Sequence, residues 1–290
     1  MCKGRGNHDK GPTPPQKPML TFAAIAPHGG DIVSEIADDP QVMAATRAAM
    51  HELGNRCALS RPDTVVVVTP HGLMPAEGVS VGFTKYAAGI LDKPDGRAIK
   101  STFDVDTALA AQILDAGAAQ ELPLYRLRGN DKGDDAVLPL DWGALIPLWF
   151  LAHPLTPRPR IVVLAPSPTL TRETLVRTGV AIARAAFDSG KRVALIASGD
   201  QGHAHDADGP YGFNAASAMH DDAMCDALAL NDFEPLLSWS NDFLEDAKVD
   251  AYYQTLILIG ALGHTPMHGE LLSYEAPTYF GMAVASYAPG

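Results

Sequence analysis

Residues 161–198 read IVVLAPSPTLTRETLVRTGVAIARAAFDSGKRVALIAS, and they hold the pattern that decides the fold. Two continuous apolar runs, at 161–164 and 193–197, are short and rich in β-branched residues, as buried strands are. Residues 169–187 between them repeat apolar positions at the spacing of a helix. A strand, a helix and a second strand in this order predict two parallel strands of one sheet.

The same signals continue in both directions along the chain. Apolar runs at 20–27 and 64–69 predict two more buried strands. Further helical patterns lie at 41–53, 105–116, 142–152, 216–230 and 249–262. The alternation predicts a layered α/β fold in which helices flank a central, largely parallel or mixed sheet.

The composition is that of a globular protein. The chain has 290 residues, of which 47% are hydrophobic, and no internal repeat stands out. Residues 1–18 are polar and rich in Gly and Pro, and are predicted to form a flexible tail. No stretch reaches the roughly 20 apolar residues of a membrane helix, and the N-terminus lacks the apolar centre of a signal peptide. We therefore expect a cytoplasmic protein without a membrane partner.

Charge and cysteine content narrow the possible partners. The net charge is -12 and no Lys/Arg run occurs in the body of the chain, so nucleic acid is not expected to bind and small molecules are favoured. Three cysteines without CxxC spacing indicate neither a disulfide framework nor a structural zinc site. The GxGxxG, GxxxxGK[ST], GxSxG and HExxH patterns are missing, which leaves nucleotide transfer, serine hydrolysis and that class of zinc peptidase without support.

Histidine follows three of the predicted strands. His28 and His71 each stand in a Pro-His-Gly turn, and a third strand runs into the loop SGDQGHAHD at 198–206. Loops at the carboxyl ends of parallel strands converge, and imidazole is the commonest protein ligand of transition metals. The repeated turn therefore predicts that His28 and His71 bind a metal ion. A carboxylate would complete an open 2-His-1-carboxylate face suited to Fe(II); the candidates are Asp250, Glu245, Asp246, Asp200 and Glu275.

Five ordered motifs resemble one known family. They are AIAPHGGDIVSEIADDP, RPDTVVVVTPHGLMP, ALIASGDQGHAHDADGPYGFN, VDAYYQTLILIGAL and LLSYEAPTYFGMAVASY, spread over residues 20 to 288. With them the chain resembles the LigB-like class III extradiol ring-cleavage dioxygenases, to which the Memo proteins are related. The resemblance implies a single LigB-like catalytic domain over residues 19–290.

The resemblance also implies roles for individual residues. A non-haem Fe(II) ion would be bound by His28, His71 and an acidic residue entering the last long helix, which is Asp250, with Glu245 as the alternative. His203 would be the acid–base catalyst and would not bind the metal. Glu275 matches a family motif and is expected to support the ligands from behind. The loop sequence itself makes His205 and Tyr211 candidates for substrate contact and Asp200 a supporting residue that orients the loop through backbone amides.

The expected activity is the cleavage of a catecholic ring with O2, in the catabolism of aromatic compounds. Two alternatives stay open. One is a Memo-like protein that acts in redox signalling or by binding phosphopeptides without cleaving rings, and that binds copper or no metal; the other is a zinc-dependent DOPA-type dioxygenase. The expected partners are a small aromatic diol and O2. A homo-oligomer is expected, and a small partner subunit is possible for this kind of enzyme.

Overall fold

The computed structural model describes residues 20–129 and 136–290. The predicted tail at 1–18 lies outside the described residues. The strands are β1 (Leu20–Ala26), β2 (Thr64–Val68), β3 (Val79–Gly82), β4 (Tyr86–Asp92), β5 (Ala98–Asp104), β6 (Leu124–Leu127), β7 (Val137–Pro139), β8 (Arg160–Pro166), β9 (Val193–Ser198), β10 (His268–Glu275) and β11 (Met282–Ala288). The helices are α1 (Ala44–Ser60), α2 (Thr107–Ala118), α3 (Trp142–Leu151), α4 (Arg172–Ser189), α5 (Ala215–Leu230), α6 (Asn241–Ala247) and α7 (Tyr252–His264), with short 3-10 helices at Gly30–Ile32 and Glu234–Ser238.

Eight strands form one mixed sheet in the order β10-β11-β1-β9-β2-β8-β3-β6. Its centre, β1-β9-β2-β8, is parallel throughout. The neighbouring strands β11 and β3 run antiparallel to β1 and β8. The predicted α/β class with a largely parallel or mixed sheet is confirmed, and so is the strand–helix–strand unit at 161–198.

Helices cover both faces of this sheet because successive side chains of its strands point to opposite sides. Along β1, Ala23 and Ile25 belong to one apolar core, while Ala24 and Ala26 belong to the other. The first core packs against α2, α4, α5 and α7, and the second against α1 and α3. Since both faces are buried, the central strands are apolar without interruption, which is why the sequence revealed them.

The contact between α4 and α7 is unusually close. A Cβ at Gly179 would lie 1.8 Å from the Ile257 carbonyl oxygen, and one at Gly260 would lie 1.8 Å from the Val176 carbonyl oxygen. Glycine at both positions lets the two backbones touch. This contact fixes α7 beside the sheet, and with it the turn that precedes the helix and carries Asp250.

All six predicted helices are present, with shifted ends; the helix expected at 41–53 runs from Ala44 to Ser60. The sequence did not reveal α6 or the small second sheet β5-β4-β7. The strand β5 alternates exposed and buried residues and has no continuous apolar run. In the described ranges, no helix is both long and apolar enough to cross a membrane.

Candidate metal centre

Three neighbouring strands bring polar residues to one edge of the sheet. His28 follows β1, Asp200 follows β9 and His71 follows β2, and β9 lies between the other two. The strands are parallel, so their carboxyl ends point the same way. The two Pro-His-Gly turns are therefore separated by the width of one strand. Asp250 reaches the same place from the turn between α6 and α7.

The side chains of His28, His71 and Asp250 meet. The Nε2 atoms of the two histidines are 3.1 Å apart, and Asp250 Oδ2 lies 3.3 Å from that of His28 and 3.4 Å from that of His71. One possible ligand atom from each residue falls within 4.8 Å of the others. Glu245, the alternative third ligand, instead pairs with Lys248 at 2.6 Å.

The hydrogen bonds of His28 fix which of its nitrogens faces this group. The Ser198 hydroxyl donates its single proton to the Gly143 carbonyl oxygen, so towards His28 Nδ1, 3.0 Å away, it can only accept. Nδ1 therefore carries the hydrogen, and in the neutral ring Nε2 presents a lone pair to His71 and Asp250. A hydrogen bond behind the ring is how proteins orient a histidine that binds a metal.

The charges around His28 favour a positive charge at this point. Burial alone would favour the neutral imidazole, but the Asp200 and Asp250 carboxylates raise the pKa of His28 to about 9. Burial likewise opposes ionisation of Asp250, yet the two imidazoles lower the pKa of this carboxyl. Burial raises the pKa of Asp200, whose Oδ1 accepts the backbone N–H of His28 at 3.0 Å.

These residues fit a divalent metal ion. Two ligands of one ion, each bound at about 2.1 Å, are separated by roughly 3 Å when their bonds meet at right angles, which is close to the distances found here. Asp250 Oδ2 faces the two imidazole nitrogens, while its buried Oδ1 has no hydrogen-bond partner, so this carboxylate still has acceptor capacity that a cation could use. Two nitrogens and one oxygen suit Fe(II) or zinc better than copper in its soft Cu(I) form. Cys57 and Cys225 lie in α1 and α5, and burial raises the pKa of each thiol to about 12.

His203 stands beside this group in the loop that follows β9. Its Nδ1 lies 2.9 Å from the Gln201 carbonyl oxygen, which can only accept, so Nδ1 carries the hydrogen and Nε2 is the basic nitrogen of the neutral ring. The His203 ring stacks on Phe280 with centroids 5.5 Å apart. The backbone N–H of His203 donates to the Ala247 carbonyl oxygen at 3.0 Å.

A cavity of about 480 Å³ joins His203 to the three-residue group. Four aromatic side chains stand in its wall: Trp142 stacks on His71 with centroids 4.2 Å apart, and Tyr211, Tyr279 and Phe280 surround His203. This volume suits a ligand of about one aromatic ring. Tyr211, expected from the sequence to contact substrate, lines the cavity.

Two other residues singled out in the sequence lie elsewhere. The His205 ring turns away from the cavity, and its Nε2 is hydrogen-bonded to Asp221 at 2.8 Å. Glu275 accepts the backbone N–H of Thr46 at 2.7 Å and so caps the first turn of α1. The structure does not bring either residue into the group formed by His28, His71 and Asp250.

The carboxylate that supports the His203 loop, Asp221, was not predicted from the sequence. Asp221 is fully buried, and its two oxygens accept hydrogen bonds from four donors: Gly202 N–H, His205 Nε2, His220 Nδ1 and the Tyr274 hydroxyl, at 2.7–2.8 Å. Burial opposes its ionisation, but the bonds from His205 and His220 lower the pKa of Asp221.

A sequence signal for this carboxylate exists within α5. Ser217, Asp221, Met224 and Leu228 recur at i, i+4, i+7 and i+11 and are all buried. Asp221 is thus an acidic residue on the apolar face of an amphipathic helix, where a charge needs partners. Ser217 also accepts the Ala204 N–H at 2.9 Å. Helix α5 therefore hydrogen-bonds to the loop backbone on both sides of His203.

Three comparisons with known proteins bear on this site. The family model of the catalytic LigB subunit of aromatic ring-opening dioxygenase matches residues 22–285. Protein CA_C1420 of Clostridium acetobutylicum is 24% identical over 263 residues, which are 90% of this chain and 56% of that protein. The chain thus spans about half the length of this curated relative.

A solved structure shares the fold. The crystal structure of the uncharacterized protein JW3007 from Escherichia coli K12 aligns with a TM-score of 0.61 and 18% identity, over 93% of this chain and 100% of that one. At this level of identity the likeness concerns the fold alone.

Proposed function

Because the chain belongs to the family of catalytic LigB subunits of aromatic ring-opening dioxygenases, we propose that it is a non-haem Fe(II)-dependent extradiol dioxygenase. Its substrate would be a catecholic ring, opened beside the diol with both atoms of one O2 incorporated. We propose that residues 19–290 form one catalytic domain for this reaction. The match to the family model over 22–285 and the continuous eight-stranded sheet support this proposal.

The observation that carries the proposal is the meeting of two imidazoles and one carboxylate at the wall of an aromatic cavity. His28, His71 and Asp250 would hold the ion and leave its other positions free for ligands from the cavity. When bound, Fe(II) would supply the activation of dioxygen and lower the pKa of the diol hydroxyls. A copper-dependent Memo-like role lacks a thiolate at this place, since both described cysteines lie outside the group.

His203 would move the protons. Its Nδ1–H is held by the Gln201 carbonyl oxygen, so Nε2 is the atom that would accept a proton from a diol hydroxyl and return it as the ring opens. The ring of His203 is held by stacking on Phe280. The rings of Phe280 and Tyr279, whose centroids are 4.9 Å apart, form an apolar wall. This wall would exclude water and orient an aromatic substrate.

Oxygen consumption by anaerobically purified, Fe(II)-loaded protein tests this proposal. Protocatechuate, gallate, homoprotocatechuate and simple catechol form the panel, and resorcinol is the control because its hydroxyls are not adjacent. We expect one O2 to be consumed for each diol opened, and none with resorcinol. If no catechol binds and no oxygen is consumed across the panel, the proposal is rejected. The same assay with zinc- and copper-loaded protein tests the two alternatives. Oxygen consumption with iron alone supports the mechanism above.

A further inference from the structure

A second cavity lies at the other end of the central strands. It has a volume of about 700 Å³ and is lined by the residues that lead into β2, β8 and β9. His28 and His71 follow the carboxyl ends of their strands, whereas this cavity lies at the amino ends. The two cavities are therefore separated by the length of the central strands. Nothing in the proposed dioxygenase reaction uses this second cavity.

Its walls are basic in a chain whose net charge is -12. Five basic residues line it, namely Arg61, Arg158, Arg160, Lys191 and Arg192, against two acidic ones, Asp63 and Asp106. Both acids already have partners. Arg192 donates to both Asp63 oxygens, and Lys191 lies 2.6 Å and 2.7 Å from the two Asp106 oxygens.

Three guanidinium groups are left without a counter-charge. Arg158 donates to the Thr102 carbonyl oxygen at 3.2 Å and lies over the Phe103 ring, and both of these partners are neutral. In the described ranges, the side chains of Arg61 and Arg160 form no ion pair and no hydrogen bond. All three residues are exposed to solvent and line the same cavity, so their positive charges are available to an anionic ligand.

The backbone at Arg61 supports this interpretation. Arg61 follows the last turn of α1 with φ 49° and ψ 57°, a left-handed conformation that costs a residue with a Cβ about 1 kcal/mol and that glycine usually fills. The dipole of α1 favours one cation at this point, but it does not account for Arg158 and Arg160, which lie on a different segment. A left-handed residue also follows the helix that ends before Lys248, so it is the position of Arg61 at the cavity, and not the conformation alone, that supports a role for its charge.

We propose that this cavity binds an oligophosphate, held by Arg61, Arg158 and Arg160. The planar fork of a guanidinium matches phosphate oxygens in pairs, and three such groups match the several negative charges of a pyrophosphate unit. Four prolines in the wall, Pro62, Pro154, Pro157 and Pro159, restrict the backbone and so reduce the entropy lost on binding. The volume leaves room for a nucleoside attached to the phosphates.

Isothermal titration calorimetry on the full chain tests this site with pyrophosphate, ADP and adenosine. Pyrophosphate and ADP are expected to bind and adenosine is not. The R61Q/R160Q variant is expected to weaken binding by about 10- to 100-fold, the range for lost hydrogen bonds between charged groups. The R177Q/R184Q variant removes the same charge from α4, outside the cavity, and is expected to bind like the unchanged protein.

Two results would overturn the proposal: no binding of pyrophosphate or ADP at millimolar concentration, or equal binding by R61Q/R160Q and the unchanged protein. The second result would mean that the phosphates bind elsewhere, and repeating the titration with H28A, which removes one candidate metal ligand, tests whether they bind through a metal at His28 and His71. Circular dichroism confirms the fold of each variant, and the single changes R61Q and R160Q replace the double variant if that one unfolds. Because no step depends on ring cleavage, the oxygen assay and this titration can fail independently.

Discussion

Asp250 and Asp221 are two carboxylates of the same half of the chain with opposite surroundings. Asp221 is fully buried, and donors from a backbone amide, two histidines and a tyrosine occupy both of its oxygens. Asp250 faces two imidazole nitrogens through one oxygen, while its buried Oδ1 has no partner. Buried polar groups in folded proteins are nearly always satisfied. The difference separates a carboxylate whose hydrogen bonds are complete within the protein from one that keeps an oxygen free for a further partner, which we propose is the metal ion.

The largest effect is expected from removing the unsatisfied carboxylate. Asp250→Ala should abolish turnover and lower bound iron to a small fraction, because two histidines alone bind the ion weakly. Iron per chain, measured by mass spectrometry of the purified protein, checks this. Glu245→Ala is the matched control: this carboxylate pairs with Lys248, so iron should be retained. If E245A loses the iron and D250A keeps it, the assignment of Asp250 is wrong.

His203→Phe tests the histidine that lines the same cavity but is not one of the three candidate metal ligands. The phenyl ring can keep the stacking on Phe280 but cannot carry a proton. Turnover should fall by about 10²- to 10⁴-fold, the contribution of a general acid–base group, while the iron content stays that of the unchanged protein. Loss of iron in this variant would show that His203 binds the metal.

Asp221→Asn weakens the satisfied carboxylate by turning one acceptor oxygen into a donor. Hydrogen bonds to the His203 loop are lost, and the free energy of unfolding should fall by about 2–4 kcal/mol. The maximal rate should drop by roughly 10- to 100-fold, because His203, the proposed acid–base group, is misplaced, with the Michaelis constant and iron content little changed. Denaturant titration and steady-state kinetics measure the two effects.

The neighbouring exposed residue gives the control for this variant, since Asp222→Asn should alter neither property. A purely structural role for Asp221 would lower stability and leave the rate of the folded, iron-loaded protein unchanged.

The smallest expected effect is a pH dependence of the stability that the Asp221 carboxylate contributes. The pKa of Asp221 is lowered in the folded protein below the value of about 3.9 that an unfolded chain would show. Its charge therefore stabilises the fold above that value, and the contribution is lost as the pH falls further. The difference in unfolding free energy between the unchanged protein and D221N should shrink as the pH falls below about pH 4. A difference that grows on acidification would contradict the lowered pKa.

The regular core and the two histidines of the three-residue group could be predicted because their signals are local. The runs that became β1, β2, β8 and β9 are apolar without interruption, since helices cover both faces of the sheet. The amphipathic strand β5 and the short helix α6 lack such a signal and were not predicted. His28 and His71 were recognisable because each directly follows a buried strand in the same turn.

Local sequence could name Asp250 and Glu245 as candidates but could not rank them by geometry. The choice depends on how closely α7 approaches α4 through Gly179 and Gly260, which sets the position of the turn before α7. The same holds for Asp221, whose partners come from the loop after β9, from α5 itself and from β10. No spacing in the chain encodes these distances.

The sequence by itself determined the layered α/β fold, the strand ends that carry histidine and the family. Hydrophobic periodicity and turn residues act over a few positions, so one sequence suffices to read them. The tertiary structure decided which carboxylate joins His28 and His71, which one supports His203, and that three arginines share a cavity at the opposite end of the sheet. Those contacts join segments up to 222 residues apart, from Asp250 to His28, and only the packing of helices on the sheet brings their side chains within bonding distance.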